Sequence, residues 1–228
     1  QYLTKTPEFI LPSPYNVFAS IIINKGILFF HSLITFFEII VGFILGIILG
    51  IYTGILFIIS KTTRRWLFPF IIFMQAIPIF ALAPVLTLWF GYGIWSKIIM
   101  TTTIIYFPIT IAFYDGLKRI NPMIVNMAKL MGANKITMLT KIRIPHALPH
   151  LSSGLKLAAA FAPMGAVIGE WVGSSNGLGY LMLYASGRVQ IDLMFSAIII
   201  LAIFTLLLYN ITSYITKQLT KWDPKSNL

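Results

Sequence analysis

Residues 33–60 read LITFFEIIVGFILGIILGIYTGILFIIS, an apolar run from Leu33 to Ser60 that carries one charge, Glu38. At 1.5 Å of helical rise per residue, the run is long enough to cross a hydrocarbon core of about 30 Å with some tilt. It ends in a basic cluster, Lys61, Arg64 and Arg65. Downstream the same pattern recurs. A second span is expected over Trp66–Phe90, broken by Pro78 and Pro84, and a third over Ile94–Tyr114. A polar stretch from Asp115 to His150 follows, then a fourth span over Leu151–Trp171. A Gly/Ser-rich connection with a short helix fills 172–190, a fifth span runs over Leu193–Thr216, and a polar tail closes the chain. Upstream, Pro7, Pro12 and Pro14 mark residues 1–14 as loop. Residues 15–31 read as an amphipathic or interfacial helix, because Asn24, Lys25 and His31 make a poor membrane span.

Composition supports the same reading. The chain has 228 residues, 10% of them charged, and a mean hydropathy of +0.88. A soluble domain carries about 25% charged residues, so the natural solvent here is a bilayer and the expected fold is an all-α polytopic transmembrane bundle with five core spans. A net charge of +11 would suggest nucleic acid as the partner of a soluble protein. Here Lys and Arg sit in loops between apolar runs, so the charge reports topology and no nucleic-acid partner is expected. The chain has no Cys, which excludes disulfides and thiolate metal sites. No signal peptide is evident.

Orientation follows from the basic residues. Lys61, Arg64, Arg65, Lys118, Arg119, Lys129, Lys135, Lys141, Arg143, Lys217, Lys221 and Lys225 fall on one side if the spans alternate, and that side is expected to be cytoplasmic. The opposite loops hold Lys5, Lys25, Lys97 and Arg188, while Lys156 lies in the first turns of the fourth span. Residues 1–32 are then an extracytoplasmic loop and interfacial helix, 33–217 the transmembrane domain with a cytoplasmic loop at 116–150, and 218–228 a cytoplasmic tail. An outward N-terminal segment without an export signal implies that a further transmembrane helix precedes Gln1.

The polar loop carries the most information. Asn126-Met127-Ala128-Lys129-Leu130-Met131-Gly132 is followed, after nine residues, by Ile142-Arg143-Ile144-Pro145. The expected structure is two short helices joined at Gly132, since glycine accepts the positive φ that ends a helix. Ala128 and Ala133 are small enough for another surface to approach. Ile136 and Leu139 offer an apolar knob, ringed by Lys135, Lys141 and Arg143. Pro145 is expected to break the chain before the fourth span.

This pattern resembles the EAA loop of ABC importer permeases, E-A-A-x3-G-x9-I-x-L-P. Gly132, Ile142 and Pro145 hold the spacing, and Ala128 matches the second alanine. Asn126 replaces the Glu, Met127 the first Ala and Ile144 the Leu, so one partner for a basic residue on an ATPase is missing. Gln75-Ala76-Ile77-Pro78, Ala83-Pro84 and Trp89-Phe90-Gly91-Tyr92-Gly93 are similar to spans of nitrate/sulfonate/taurine-type permeases. Gly169-Glu170-Trp171-Val172-Gly173 with Gly177-Leu178-Gly179-Tyr180 looks most like the branch linked to hydroxymethylpyrimidine, a thiamine precursor.

The resemblance implies the fold of the binding-protein-dependent (MetI-like) importer permease, in the bacterial cytoplasmic membrane. It implies a second copy of the chain, a cytoplasmic ABC ATPase dimer and an extracytoplasmic solute-binding protein as partners. Asn126, Ala128, Gly132, Ala133, Ile136, Leu139, Ile142 and Pro145 would form the ATPase-coupling loop. The solute would be a small polar organic molecule, hydroxymethylpyrimidine or a related thiamine precursor, with sulfonate, taurine or nitrate as the alternative. The chain has no G-x-x-x-x-G-K-[ST] phosphate loop, so no cofactor is expected on it, and ATP and Mg belong to the partner ATPase.

Gln75, Pro78, Glu170 and Trp171 are candidates for the translocation path. Carbonyls freed near a proline are tolerated where they line a cavity or meet neighbouring helices, and Gln75 could bond a polar solute one turn before Pro78. A simple kink at Pro78 and an interfacial anchor at Trp171 are the plain alternatives. Glu38 is expected to reach the interface from the outer end of its span. Gly42, Gly46, Gly50 and Gly54 line one face of the first span, as a packing seam that is either static or able to slide. His146 and His150 are four apart without a third ligand, so no metal is expected. An ion-driven secondary transporter remains the other class, although such proteins place charge deep in the membrane and often show inverted repeats. An acid/base or metal constellation for a membrane enzyme is not evident.

Overall fold

A computed structural model describes residues 12–222; residues 1–11 of the loop expected at 1–14 and residues 223–228 of the tail expected at 218–228 lie outside the described residues. The elements are α1 (Pro14–Ile23), α2 (Lys25–Ile59), α3 (Lys61–Ala76), α4 (Ile79–Phe90), α5 (Ile94–Lys118), α6 (Pro122–Leu130) and α7 (Lys135–Thr137). A π-helical turn (Met138–Arg143), α8 (Ile144–Gly173), α9 (Leu178–Gly187) and α10 (Ile191–Leu219) complete them. Among the described residues four helices are long and apolar enough to cross a membrane, and the α3–α4 pair, bent by 107°, is a fifth if the two halves count as one span.

The glycines of α2 decide the central packing. Gly42, Gly46, Gly50 and Gly54 face Thr101, Ile105, Ile109 and Phe113 of α5, and a Cβ on any of them would come within 2.6–2.8 Å of those side chains. Both helices advance four residues per contact in the same direction, so α2 and α5 run parallel. Lipid tails are as apolar as leucine, so close van der Waals approach of this kind drives helix association in a bilayer. The seam is thus packing within one chain.

The opposite face of α5 meets α8 in antiparallel register. Gly169 lies against Lys97, Gly165 against Thr101, Gly154 against Pro108 and Ala112, and Gly116 against Ala147 and His150. The resulting core holds Ile105, Ile109, Phe113, Leu117, Ala147, Ala158, Ala159, Ala162 and Ala166. The small alanines of α8 let its backbone approach α5. Phe29, Phe36, Ile48, Leu206 and Ile211 point outward, as lipid-facing side chains do.

Because α2 and α5 are parallel, the chain between them must return along the bundle. α3 packs by Ile71, Leu67 and Phe68 against Phe57 and Tyr114 at one end. α4 packs by Ala83 against Met100 and Ile168 nearer the other. The chain turns at Ile77 and Pro78, whose ψ values of 125° and 127° are extended. Pro78 thus breaks the crossing as expected. Pro84 does not, because it lies inside α4.

Several boundaries differ from the sequence reading. α2 begins at Lys25, so Lys25 and His31 belong to the first long helix and only Pro14–Ile23 is the separate upstream helix. The helix of the fourth crossing starts well before Leu151, with α8 itself running from Ile144. Pro145 makes no break there. It lies at the junction of the π turn and α8, which run on as one helix from Lys135 to Gly173, with Arg143 already helical at φ −70° and ψ −48°. Pro149 also lies within the helix.

Candidate functional site

Two constellations stand out, at opposite ends of the bundle. At the end where α2, α5 and α10 finish, Asn121 opens α6 by accepting the Met123 N–H at 2.9 Å. The helix closes on Gly132 at φ +82°, with the Ala133 N–H donating to the Ala128 carbonyl and the Gly132 N–H to that of Lys129. This is a glycine-terminated cap. A Cβ at Gly132 would meet nothing within 4 Å, so backbone conformation rather than space selects glycine. Asn134 then caps the next segment by accepting the Thr137 N–H at 2.8 Å. The expected helix–Gly132–helix unit is present.

Its surface differs from the expected knob. Ile136 is 73% exposed, but Leu139 turns inward and packs on the α5–α8 core. Ala128 is buried within the chain, while Asn126 is exposed and Ala133 half-buried. The tip is made instead by Leu130 (90% exposed), Met131 (80%) and Met127 (63%) together with Ile136. Hydropathy along the loop does contain these residues. Their grouping depends on where α6 ends, which the sequence gives only through Gly132. Ile142 and Pro145 line a groove of about 370 Å³ with Ile120, Ile124, Lys141, His146 and Trp222.

At the other end lies a buried polar cluster. Glu38 does not reach the interface, being 1% exposed, and Lys97 is no loop residue, also being 1% exposed. The Lys97 ammonium donates to the carbonyls of Tyr92 (2.6 Å), Gly93 (3.1 Å) and Gly173 (2.8 Å). Glu170 is 1% exposed and lies beside Glu38, whose Oε2 is buried without a hydrogen-bond partner. Glu170 accepts the Thr35 hydroxyl at 2.6 Å and the N–H groups of Gly179 and Tyr180. Buried carboxyls in a bilayer need partners of this kind. Spans with so little charge by composition gave no sign that these groups converge.

Of the other path candidates, Gln75 and Pro78 are exposed. Trp171 is 42% exposed and stacks on Phe80 with ring centroids 6.3 Å apart. The structure therefore brings the end of α8 to the helix that follows Pro78, while Glu170 points inward from the same turn.

Sequence and structure comparisons agree with this architecture. Over 203 residues the chain is 46% identical to a probable ABC transporter permease protein of Haemophilus influenzae, covering 89% of this chain and 83% of the relative. It is 34% identical to the formylaminopyrimidine transport permease protein ThiX of Halalkalibacterium halodurans, covering 95% and 87%. Its fold superposes on a chain of the MetNI methionine ABC transporter in an inward-facing conformation with a TM-score of 0.65 at 19% identity, covering 93% of this chain and 96% of that one. Residues 42–221 match the model of the binding-protein-dependent transport system inner membrane component. The chain belongs to that family and is a permease subunit of an ABC importer.

Proposed function

We propose that the Gly132 hairpin is the element through which a cytoplasmic ATPase drives this permease, and that the solute is a small planar heterocycle of the thiamine-precursor class. The observation that carries the first part is the exposed apolar tip of Met127, Leu130, Met131 and Ile136, set on a rigid glycine turn and flanked by Lys129, Lys135 and Lys141. In water such a patch is covered by a partner, and the basic rim suits acidic side chains around an apolar pocket on that partner. The hairpin runs through the π turn into α8, so a push on the tip reaches a full membrane crossing. The hairpin and the C-terminal end face the cytoplasm by the positive-inside rule. Two copies of the chain, two ATPase subunits and an extracytoplasmic binding protein complete the importer. ATP and Mg act on the ATPase.

The heterocycle reading rests on the likeness to the formylaminopyrimidine permease over nearly the whole chain. The route runs by the helix break, where Gln75, Pro78 and the stacked Phe80–Trp171 pair offer a polar group and flat rings. Uptake of radiolabelled hydroxymethylpyrimidine by cells carrying the whole transporter tests the solute. Competition by excess unlabelled pyrimidine and none by taurine is expected, and the reverse pattern would replace the heterocycle by a sulfonate. Gly132→Val tests coupling, because a β-branched residue is strained at positive φ. It should abolish uptake at unchanged membrane levels, while normal uptake would remove the hairpin from the mechanism.

A further inference from the structure

The start of α9 is held from outside itself. A helix leaves its first N–H groups without intrahelical partners, and in a bilayer each one left unpaired is costly. Here four consecutive N–H groups are taken by three side chains from two other helices. Gly177 N–H donates to His31 Nδ1 at 2.9 Å, and Leu178 N–H to Thr35 Oγ1 at 2.7 Å. Gly179 and Tyr180 N–H both donate to Glu170 Oε2. The Thr35 hydroxyl spends its own proton on Glu170 Oε1, so acceptors from α2 and α8 form one connected socket.

The glycines of this segment fit the socket. Gly177 has φ +104°, and a Cβ there would collide with the Glu170 carboxyl group. A Cβ on Gly179 would lie 2.8 Å from Glu170 Oε2 and 3.0 Å from the Val167 carbonyl. Lys97 closes the back of the arrangement by binding the carbonyl of Gly173, the last residue of α8. Beyond the socket, α9 packs by Leu178, Leu181, Met182 and Ala185 on Leu28, Leu193 and Ala197.

We infer that Glu170 is a positioning residue for transport: with Thr35 and His31 it locks the N-terminus of α9 to α2 and α8, so that α9 travels with those two helices as one body through the transport cycle. Release of α9 would strand four N–H groups and a buried carboxyl at once, so sliding at this contact is disfavoured against joint movement. The inference concerns this socket alone and does not depend on the identity of the solute.

The absence of cysteine makes the test direct. Met182→Cys places a single thiol on the buried face of α9, in the permease assembled with its ATPase in proteoliposomes. Modification by a membrane-impermeant maleimide is followed in the nucleotide-free and vanadate-trapped states. The thiol should stay protected in both. Adding Glu170→Ala should raise the modification rate about tenfold or more, as loss of one to two net hydrogen bonds implies. Adding Glu170→Gln should restore protection, because its amide oxygen accepts the α9 N–H groups while its NH₂ turns to the Thr35 oxygen. Thr35→Val, the milder variant should Glu170→Ala fail to insert, should give an intermediate rate. Equal protection with Glu170→Ala or Thr35→Val, or a thiol exposed on trapping in the parent, would overturn the inference.

Discussion

The guanidinium of Arg143 donates a hydrogen bond of 2.8 Å to the carbonyl of Leu117. Leu117 lies in the last turn of α5, where carbonyls lack intrahelical donors and a cation is favoured. Arg143 closes the π turn that follows the Gly132 hairpin. One side chain therefore joins the hairpin to the central helix of the bundle, beside the covalent route into α8.

Arg143→Met should loosen this joint while keeping the apolar stem. A hydrogen bond from a charged donor contributes about 1.5–3 kcal/mol, so the hairpin should still form and still bind the ATPase. Uptake should fall severalfold at unchanged ATPase co-purification. The ratio of solute moved to ATP hydrolysed in proteoliposomes checks this, and an unchanged ratio would assign the bond to packing alone.

The α2–α5 seam predicts a compensating pair. A Cβ at Gly46 would lie 2.6 Å from Cγ1 of Ile105, so Gly46→Val should cost about 1–3 kcal/mol through overpacking. Trimming the opposing residue with Ile105→Ala should recover part of that loss, since contacting sites are not additive. Thermal unfolding midpoints of the purified single and double variants decide it. A double variant no better than the sum of the singles would contradict the register.

Lys97 spends its ammonium on three carbonyls rather than on an exposed loop. Lys97→Met should leave those acceptors without a donor beside two buried glutamates. The expected cost is on the order of 3 kcal/mol, the range for orphaned buried polar groups. It should appear as a lower unfolding midpoint in detergent and lower membrane levels. Parental stability would mean that the cluster is not what holds the ends of α4, α5 and α8 together.

The crossings were legible because hydropathy and helix length are local properties, and the Gly132 turn because one residue type dictates it. The socket was not. His31 reads as an interfacial residue because a polar residue near a span end is read against water. His31 in fact pairs with Gly177, 146 residues away. Glu38 and Lys97 misled in the same way, since burial depends on neighbours that a single sequence does not bring together. Pro145 reads as a break because proline interrupts the hydrogen-bond ladder of an α-helix, whereas here the helix switches from π to α at that point and runs on from Lys135 to Gly173. Leu139 and Ile136 were grouped by helical spacing, and the π turn rotates Leu139 towards the core.

The central claim is that the apolar tip of the Gly132 hairpin is the seat of the ATPase. The most direct measurement is co-purification of the cognate ATPase with a permease carrying Leu130→Asp and Ile136→Asp, at positions 90% and 73% exposed and so able to accept a carboxylate without disturbing the fold. The account predicts parental membrane levels, loss of the bound ATPase and no ATP-driven uptake. A variant that retains the ATPase and transports at the parental rate would contradict it.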